Sequence, residues 1–354
     1  MDQSFSGNLS VDVEHDPLSA LLTLIVVTSP VTAHPSTELL DSCLGSYYQS
    51  LSDMDDAVRV IVAADGCVIE PRKHGRIFGR AELHEAERYM QYLATVRARC
   101  DARPQQFSLV RSAGWRGFAM TLKAALLRVT TPFVLVTCHD LNLTRDVPTR
   151  RILRLLANEA DSHVRYVGIP GPNNYGRRYI ERGSTPQFRI GVVERDGVPL
   201  VQLLRWKENT HFARTDTYLR FVFANESFHR FRRGQFIEET FGQLMVKRIR
   251  AAPSPLAEHD AFGVYLLYLG ETLAPGEHPP IVHINGRNYR SVSERLASGL
   301  KMQKYTRSMV DRANWFARRF FDSPTFSDDQ VNALMAASLD DDADDDDAEN
   351  EDED

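Results

Sequence analysis

The sequence predicts an α/β protein built on a doubly wound, mostly parallel sheet flanked by helices. Three observations carry that expectation. Short apolar runs, many of their residues β-branched, recur at 21–28, 58–63, 107–110 and 133–137; unbroken apolarity over so few residues marks strands covered on both faces. Segments with apolar residues three and four apart separate these runs, and strand–helix–strand order signals parallel crossovers. Each run also breaks into a polar or turn-forming group: Ser29-Pro30, Asp65-Gly66, Arg111 and Cys138-His139-Asp140.

In chain order, residues 1–17 are polar and aperiodic and are expected to be disordered. After the first strand, Pro35-Ser36 leads into a helix whose Leu39, Leu40, Cys43, Leu44, Tyr47 and Leu51 share one face, with Ser36 as N-cap and Glu38 in the first turn. The second strand runs into Ala64-Asp65-Gly66, and the Gly- and Arg-rich stretch 71–80 reads as a surface loop. Leu83, Ala86, Met90, Leu93 and Val96 make 81–100 helical. The strand at 107–110 opens into Arg111 to Gly117, and a helix over 118–128 feeds the strand at 133–137. Ligands of open α/β sheets bind beyond the carboxyl ends of the strands, so the trio after that strand is the leading site candidate.

Farther on, a helix is expected near 150–160 and a strand at 164–169, and runs at 188–193 and 198–204 flank Asp196-Gly197, a hairpin signal. The segment 206–214 is densely polar and aromatic; 218–224 fits a strand or a short helix. Phe236-Ile237-Glu238-Glu239 opens a helical pattern through Phe241, Leu244, Met245 and Ile249. A last short strand is expected at 281–284, and a long basic helical region at 293–321 around Leu296, Leu300, Met309, Trp315 and Phe316. The expected organisation is a disordered stretch (1–17), one domain (18–290), a C-terminal helical extension (291–321), and a linker with a solvated acidic tail (322–354).

The totals bound the chemistry. With 354 residues, 43% hydrophobic and 25% charged, the chain suits a soluble globular protein. No stretch reads as a signal peptide or membrane span, and four scattered cysteines (Cys43, Cys67, Cys100, Cys138) lack metal-cluster spacing, so a reduced, cytoplasmic protein is expected. Residues 340–354 hold 12 acidic residues and no basic one; the remainder has 42 Lys and Arg against 36 Asp and Glu, a balance of +6. A basic body suits a polyanionic ligand such as a nucleotide diphosphate, and more weakly a nucleic acid or membrane surface. The chain has no internal repeat, no G-x-G-x-x-G after its first strand and no G-x-x-x-x-G-K-[ST], which argues against a dinucleotide fold and a P-loop NTPase.

Taken together, Thr28-Ser29-Pro30, Ala64-Asp65-Gly66, Gly114-Trp115-x-Gly117, Cys138-His139-Asp140, Phe236-Ile237-Glu238-Glu239 and Val282-His283 resemble, in order and spacing, a GT-A fold glycosyltransferase of the large inverting family with nucleotide-sugar donors. The resemblance spans roughly residues 20 to 290. It implies a GT-A-like fold and transfer of a hexosyl or deoxyhexosyl group from a nucleotide-diphosphate sugar to an acceptor hydroxyl, with inversion.

It also implies roles. Ser29, Pro30, Asp65, Arg111, Gly114, Trp115 and Asp140 would bind the donor. A divalent cation, Mn2+ or Mg2+, would bridge the diphosphate and meet the charge of the leaving group, with Asp140 as first ligand and His283 as second. The family's D-x-D motif is degenerate here: Cys138 stands at the first acidic position, and strand alternation is expected to turn His139 away from Asp140. A metal-independent enzyme using Arg or Lys on the diphosphate therefore stays open. An inverting transfer needs a base for the acceptor hydroxyl; Glu239 is favoured, with Glu238 second. Trp206, Glu208, His211 and Arg214 combine an aromatic platform with hydrogen-bonding groups and are the candidate acceptor-binding cluster.

Two other classes remain in view: a non-catalytic protein that binds a nucleotide sugar or carbohydrate, and an interaction protein working through its acidic tail. The basic segment 293–321 would pack on the body or touch a membrane surface. No nucleic-acid partner is expected, and the residues do not indicate an oligomeric state.

Overall fold

The computed structural model describes residues 11–51, 53–70, 79–158, 163–184, 188–223, 231–270, 272–273, 278–284, 286, 289–298 and 306–338. Most of the expected loop 71–80 and the acidic tail beyond 338 lie outside them. The strands are β1 Leu22–Thr28, β2 Arg59–Ala64, β3 Val68–Ile69, β4 Arg80–Ala81, β5 Phe107–Arg111, β6 Phe133–Cys138, β7 Leu141–Leu143, β8 Tyr166–Gly168, β9 Val192–Arg195, β10 Val198–Gln202, β11 His211–Arg214, β12 Val264–Leu267 and β13 Ile281–His283.

Nine of them form one sheet in the order β5-β2-β1-β6-β11-β8-β12-β10-β9. β5, β2, β1 and β6 pair in parallel, β11 runs against both neighbours, and β8 and β12 are parallel again. This is the α/β, mostly parallel architecture, flanked by helices, expected from the sequence. The uniformly apolar central runs follow from burial on both faces. Leu22, Leu24 and Val26 join Val60, Val62, Phe133 and Leu135 in the core on one face. Ile25 and Val27 join Ile61, Ala63, Val134 and Val136 on the other, as the two-residue period of a strand requires.

Register brings the site together. Thr28 pairs with Ala64, Val27 with Cys138 and Ala64 with Arg111, so the four parallel strands end nearly level and release their next residues at one edge. At the far edge, β9 and β10 form the hairpin expected around Asp196-Gly197, both with positive φ (47° and 72°), as a two-residue type I′ turn demands.

Several expectations are corrected. Residues 11–17 are packed rather than disordered: Val13 is buried, and the Arg150 guanidinium donates to the carbonyls of Val13 and Asp16. The strand at 281–283 stays out of the main sheet and pairs with β7, setting His283 opposite Leu141. Of the two alternatives for 218–224, the described residues 218–223 take the short helix, as a π-helical turn. Within the expected helical region, the described residues form helices Val292–Ser298 and Thr306–Phe321, and 299–305 lie outside the described residues. The second crosses helix Glu38–Ser50 so closely that a Cβ at Gly45 would lie 2.3 Å from the Arg312 carbonyl oxygen. There it buries Phe316 and Phe320 against Tyr48 and Phe107, each ring worth roughly 2 kcal/mol of apolar burial. Part of the expected linker is also structured: Thr325 Oγ1 donates to Asp41 Oδ2, Phe326 is buried, and Asp328–Ser338 is helical. Among the described residues, no helix is long and apolar enough to cross a membrane.

Candidate functional site

A cavity of about 420 Å³ opens at the shared carboxyl edge of β1, β2 and β6. Thr28, Ser29 and Pro30 line it behind β1, Asp65 and Gly66 behind β2, Trp115 from the loop after β5, and Cys138, His139 and Asp140 behind β6; His283, Gly234 and Phe236 come from later segments.

Asp65 builds one wall. Its Oδ1 accepts the Gly66 and Arg116 N–H groups, both at 2.8 Å, and its Oδ2 accepts Gly117 N–H at 2.9 Å. Burial raises its carboxyl pKa, against these three amides. The residue expected to contact a nucleoside thus spends its oxygens on holding the 114–117 loop. That loop needs glycines: a Cβ on Gly66 would lie 2.3 Å from the Gly114 backbone, and one on Gly117 (φ +85°) would lie 2.6 Å from the Gly234 backbone. The Trp115 indole is clasped between Gly79 and Gly234, where added Cβ atoms would come within 2.1 and 2.5 Å of the ring. The Arg233 guanidinium lies 5.5 Å from the ring centroid. These contacts fix the orientation of the indole at the cavity wall.

Asp140 forms the opposite wall. Its Oδ2 accepts Gly286 N–H at 3.0 Å and lies 3.2 Å from His283 Nε2; its side chain is 15% exposed. Burial favours protonation, but the His283 hydrogen bond, the charges of His139 and His283 and the Gly286 amide together hold its carboxyl well below the usual range. The thiol of Cys138 behaves oppositely: burial, with the Asp140 and Glu208 charges, pushes its pKa well up, so it offers no anion at this position. Strand alternation does not govern His139, because β6 ends at Cys138 and residues 139–140 form a turn; His139 and Asp140 therefore line the same cavity.

Among the described residues no three His, Cys, Asp or Glu side chains converge as a metal cluster. Asp140 and His283 supply a carboxylate and an imidazole in contact. That donor set fits a divalent cation whose other positions are filled by ligand oxygens and water.

The expected catalytic pair lies on a π-helical turn, Glu238–Gly242. Neither glutamate lines the cavity, although Phe236 just before them does. Glu238 faces Arg205 Nη1 at 3.7 Å and Lys207 Nζ at 3.9 Å; Glu239 is exposed. Glu208 accepts the Ile237 N–H at the start of this turn. Burial, reinforced by the Glu238 and Glu239 charges, pushes its carboxyl up to about 8.

The expected acceptor cluster does not assemble. Trp206 is fully buried, its Nε1 donating to Tyr218 Oη at 3.2 Å. His211 is also fully buried; its Nδ1 donates to the Asn209 carbonyl at 2.6 Å, its ring stacks on Tyr166, and burial lowers its pKa to about 4. Arg214 pairs in register with Phe133, at the edge opposite the cavity, and is tied to Asp216 at 3.0 Å. Nor does Arg111 line the cavity: it is exposed, with Nη2 3.0 Å from Met90 Sδ. Gly114 is likewise absent from the lining and instead packs behind Gly66. The sequence reading missed Gly79, Gly234 and Phe236 as wall residues. The Arg-Arg-Gly before Phe236 was their clearest signal.

No family profile and no curated protein matches the chain. Among solved structures it is similar to mannosyltransferase PcManGT from Pyrobaculum calidifontis in complex with GDP-Man and Mn2+, at 15% identity over 90% of this chain and 73% of that one, TM-score 0.38. It is similar to S. aureus TarS 1-349 in complex with UDP-GlcNAc, at 12% identity over 90% and 79%, TM-score 0.35. A third likeness is to glucosyl-3-phosphoglycerate synthase from Mycobacterium tuberculosis with Mn2+, UDP and glucosyl-3-phosphoglycerate, at 13% identity over 85% and 82%, TM-score 0.36. Likeness at this level carries none of the functional argument, which rests on the cavity.

Proposed function

We propose that the protein is a glycosyltransferase that moves a hexosyl or deoxyhexosyl group from a nucleotide-diphosphate sugar to an acceptor hydroxyl, with inversion. One observation supports this most: a single cavity at the carboxyl edge of parallel strands has a clasped indole, Trp115, on one wall and a carboxylate–imidazole pair, Asp140 and His283, on another. Trp115 suits the flat base, and Ser29, Pro30 and the Asp65-held loop shape the space around the ribose. Asp140 and His283 would hold a divalent cation, which when bound neutralises charge on the departing diphosphate. Glu239 is the favoured base: Glu238 is engaged by Arg205 and Lys207, whereas Glu239 has no cationic partner among the described residues. In the reaction, the acceptor oxygen attacks the anomeric carbon, its proton passes to Glu239, and the bond to the diphosphate oxygen breaks on the opposite face. The domain division proposed is one transferase body with the helices after 291 docked on it.

Isothermal titration against UDP, GDP and dTDP, with and without Mn2+, tests the reading; binding of none of them overturns it. A second reading, a donor-binding protein without turnover, is favoured by the protonated thiol at Cys138 and by the absence of Glu238 and Glu239 from the cavity lining. Donor hydrolysis that is undetectable and unchanged in Glu239→Ala, despite nucleotide binding, would decide for it.

A further inference from the structure

We propose that Glu38 is a positioning residue for the cation site: through the Val292 N–H it sets the return of the chain over the cavity, and with it the Gly286 amide that orients the Asp140 carboxylate. The inference rests on the donor reading above and deepens it. Asp140 Oδ2 is where the returning chain closes, accepting Gly286 N–H at 3.0 Å beside His283 Nε2 at 3.2 Å. The approach is close: a Cβ on Gly286 would stand 2.8 Å from that oxygen and 3.1 Å from the Asp140 Cβ, so a larger residue would turn the carboxylate. Groups that hydrogen-bond a ligating carboxylate fix the direction in which it faces the metal.

Both arms that meet at Asp140 are referenced to one helix, Glu38–Ser50. On the Asp140 arm, Ser42 Oγ accepts Asn142 Nδ2 at 2.6 Å and Ser46 Oγ accepts Leu143 N–H at 2.9 Å. On the returning arm, both oxygens of Glu38 lie on the Val292 N–H, at 3.1 and 3.2 Å, and Leu39 shares a small apolar cluster with Ile284 and Tyr289. From residue 38 to residue 46 a helix rises about 12 Å as a stiff rod, so it holds the two arms at a set spacing. Glu38 is 1% exposed and does not line the cavity; it acts on the site through the main chain. A second tie, Arg88 to Glu294, lies two residues beyond Val292, but its side chains are 35% and 31% exposed, and a pair open to that degree is weakened by solvent screening. The buried contact is the firmer of the two. Burial also pushes the Glu38 carboxyl up to about 8, so near neutral pH it is uncharged, and glutamine matches its shape while keeping an acceptor oxygen.

The test is titration of the full chain with UDP and with GDP at neutral pH, each with and without Mn2+. Glu38→Met, which keeps the length and bulk but no acceptor oxygen, should lower the affinity measured with Mn2+ about tenfold, the lower end for loss of a group that orients a metal ligand. The affinity measured without Mn2+ should not change. Glu38→Gln should bind as the intact protein does. Gly286→Ala should reproduce the loss, and adding Glu38→Met to it should lower the affinity no further, because both act on one carboxylate. Melting temperatures check folding, and Glu38→Ala stands in should the methionine variant not fold. Equal losses with and without Mn2+ overturn the inference, since a general structural defect falls on both. So does a Glu38→Met affinity that stays unchanged with Mn2+, or a fully additive loss in the double variant. An intact protein that binds nucleotides without regard to Mn2+ overturns it too. In each of these cases nucleotides still bind and the donor reading survives; failure of the intact protein to bind any nucleotide removes both.

Discussion

On the β5-β2-β1-β6 side of the sheet, polar residues stand just beyond the ends of parallel strands and reach the cavity. Around β11, residues of the same types fold inward. Asp65, His139 and Asp140 lie past the last ladder pair of β2 and β6, where the chain turns and side chains face the opening. His211 lies within β11, paired with Val136 and Gly168, so its imidazole meets Tyr166 and the Trp206 cluster rather than solvent. Reversing one strand sends Arg214 to the far edge. Position relative to a strand end, more than residue type, decides whether a polar group serves a ligand or the core.

Substitutions should therefore separate the two sides. The largest effect is expected from Trp206→Ala, which removes a fully buried indole and should cost about 3–5 kcal/mol of unfolding free energy. Denaturant melts measure it, and a loss under 1 kcal/mol would return Trp206 to the candidate acceptor residues. Next, Asp140→Asn should leave the melting midpoint within a few degrees while lowering Mn2+-dependent nucleotide affinity on the order of 100-fold; unchanged affinity by titration calorimetry would remove Asp140 from the anchor. Gly117→Ala comes third, at roughly 1–3 kcal/mol, because φ is +85° and the new Cβ meets Gly234. It should disturb both readouts, since the same loop carries Trp115.

A pH series gives a smaller effect. Glu208 and Glu38 both have carboxyls pushed up to about 8 from 4.5, burial being the main cause. Between those values the folded state binds more protons than the unfolded one, so stability is highest below about 4.5 as far as these groups go and falls as pH rises toward 8. Glu208→Gln should flatten that fall, leaving the share due to Glu38. Melts at pH 5 and pH 8 that give the intact chain and the variant the same difference would show that Glu208 is ionised without penalty. Smallest of all, Arg111→Ala should change stability by less than about 0.5 kcal/mol and leave nucleotide affinity alone.

The parallel half was legible because its signals are local. Continuous apolar runs announce strands buried on both faces, and Asp65-Gly66 and His139-Asp140 sit where such runs stop. Asp65 lines the cavity, but its engagement of the Arg116 and Gly117 amides depends on a loop some fifty residues away, which no spacing rule reports. Trp206 misled for the converse reason: polar and charged neighbours such as Glu208, His211 and Arg214 made the segment read as an acceptor-binding cluster, although Tyr166, Tyr218 and Phe241 surround the indole. His139 was misread by carrying the strand period one residue beyond the strand.

Glu38 links these observations to the order in which the chain is made. Its carboxyl group, at the start of the first long helix, accepts the Val292 N–H at 3.1 Å, while six residues upstream of Val292 the Gly286 N–H closes on Asp140. The wall that completes the cavity is therefore supplied by the 281–292 stretch and pinned by a residue synthesised some 250 positions earlier. Every parallel strand of the site lies upstream of these contacts, so the Asp140 wall is completed by a part of the sequence downstream of all the strands that carry it.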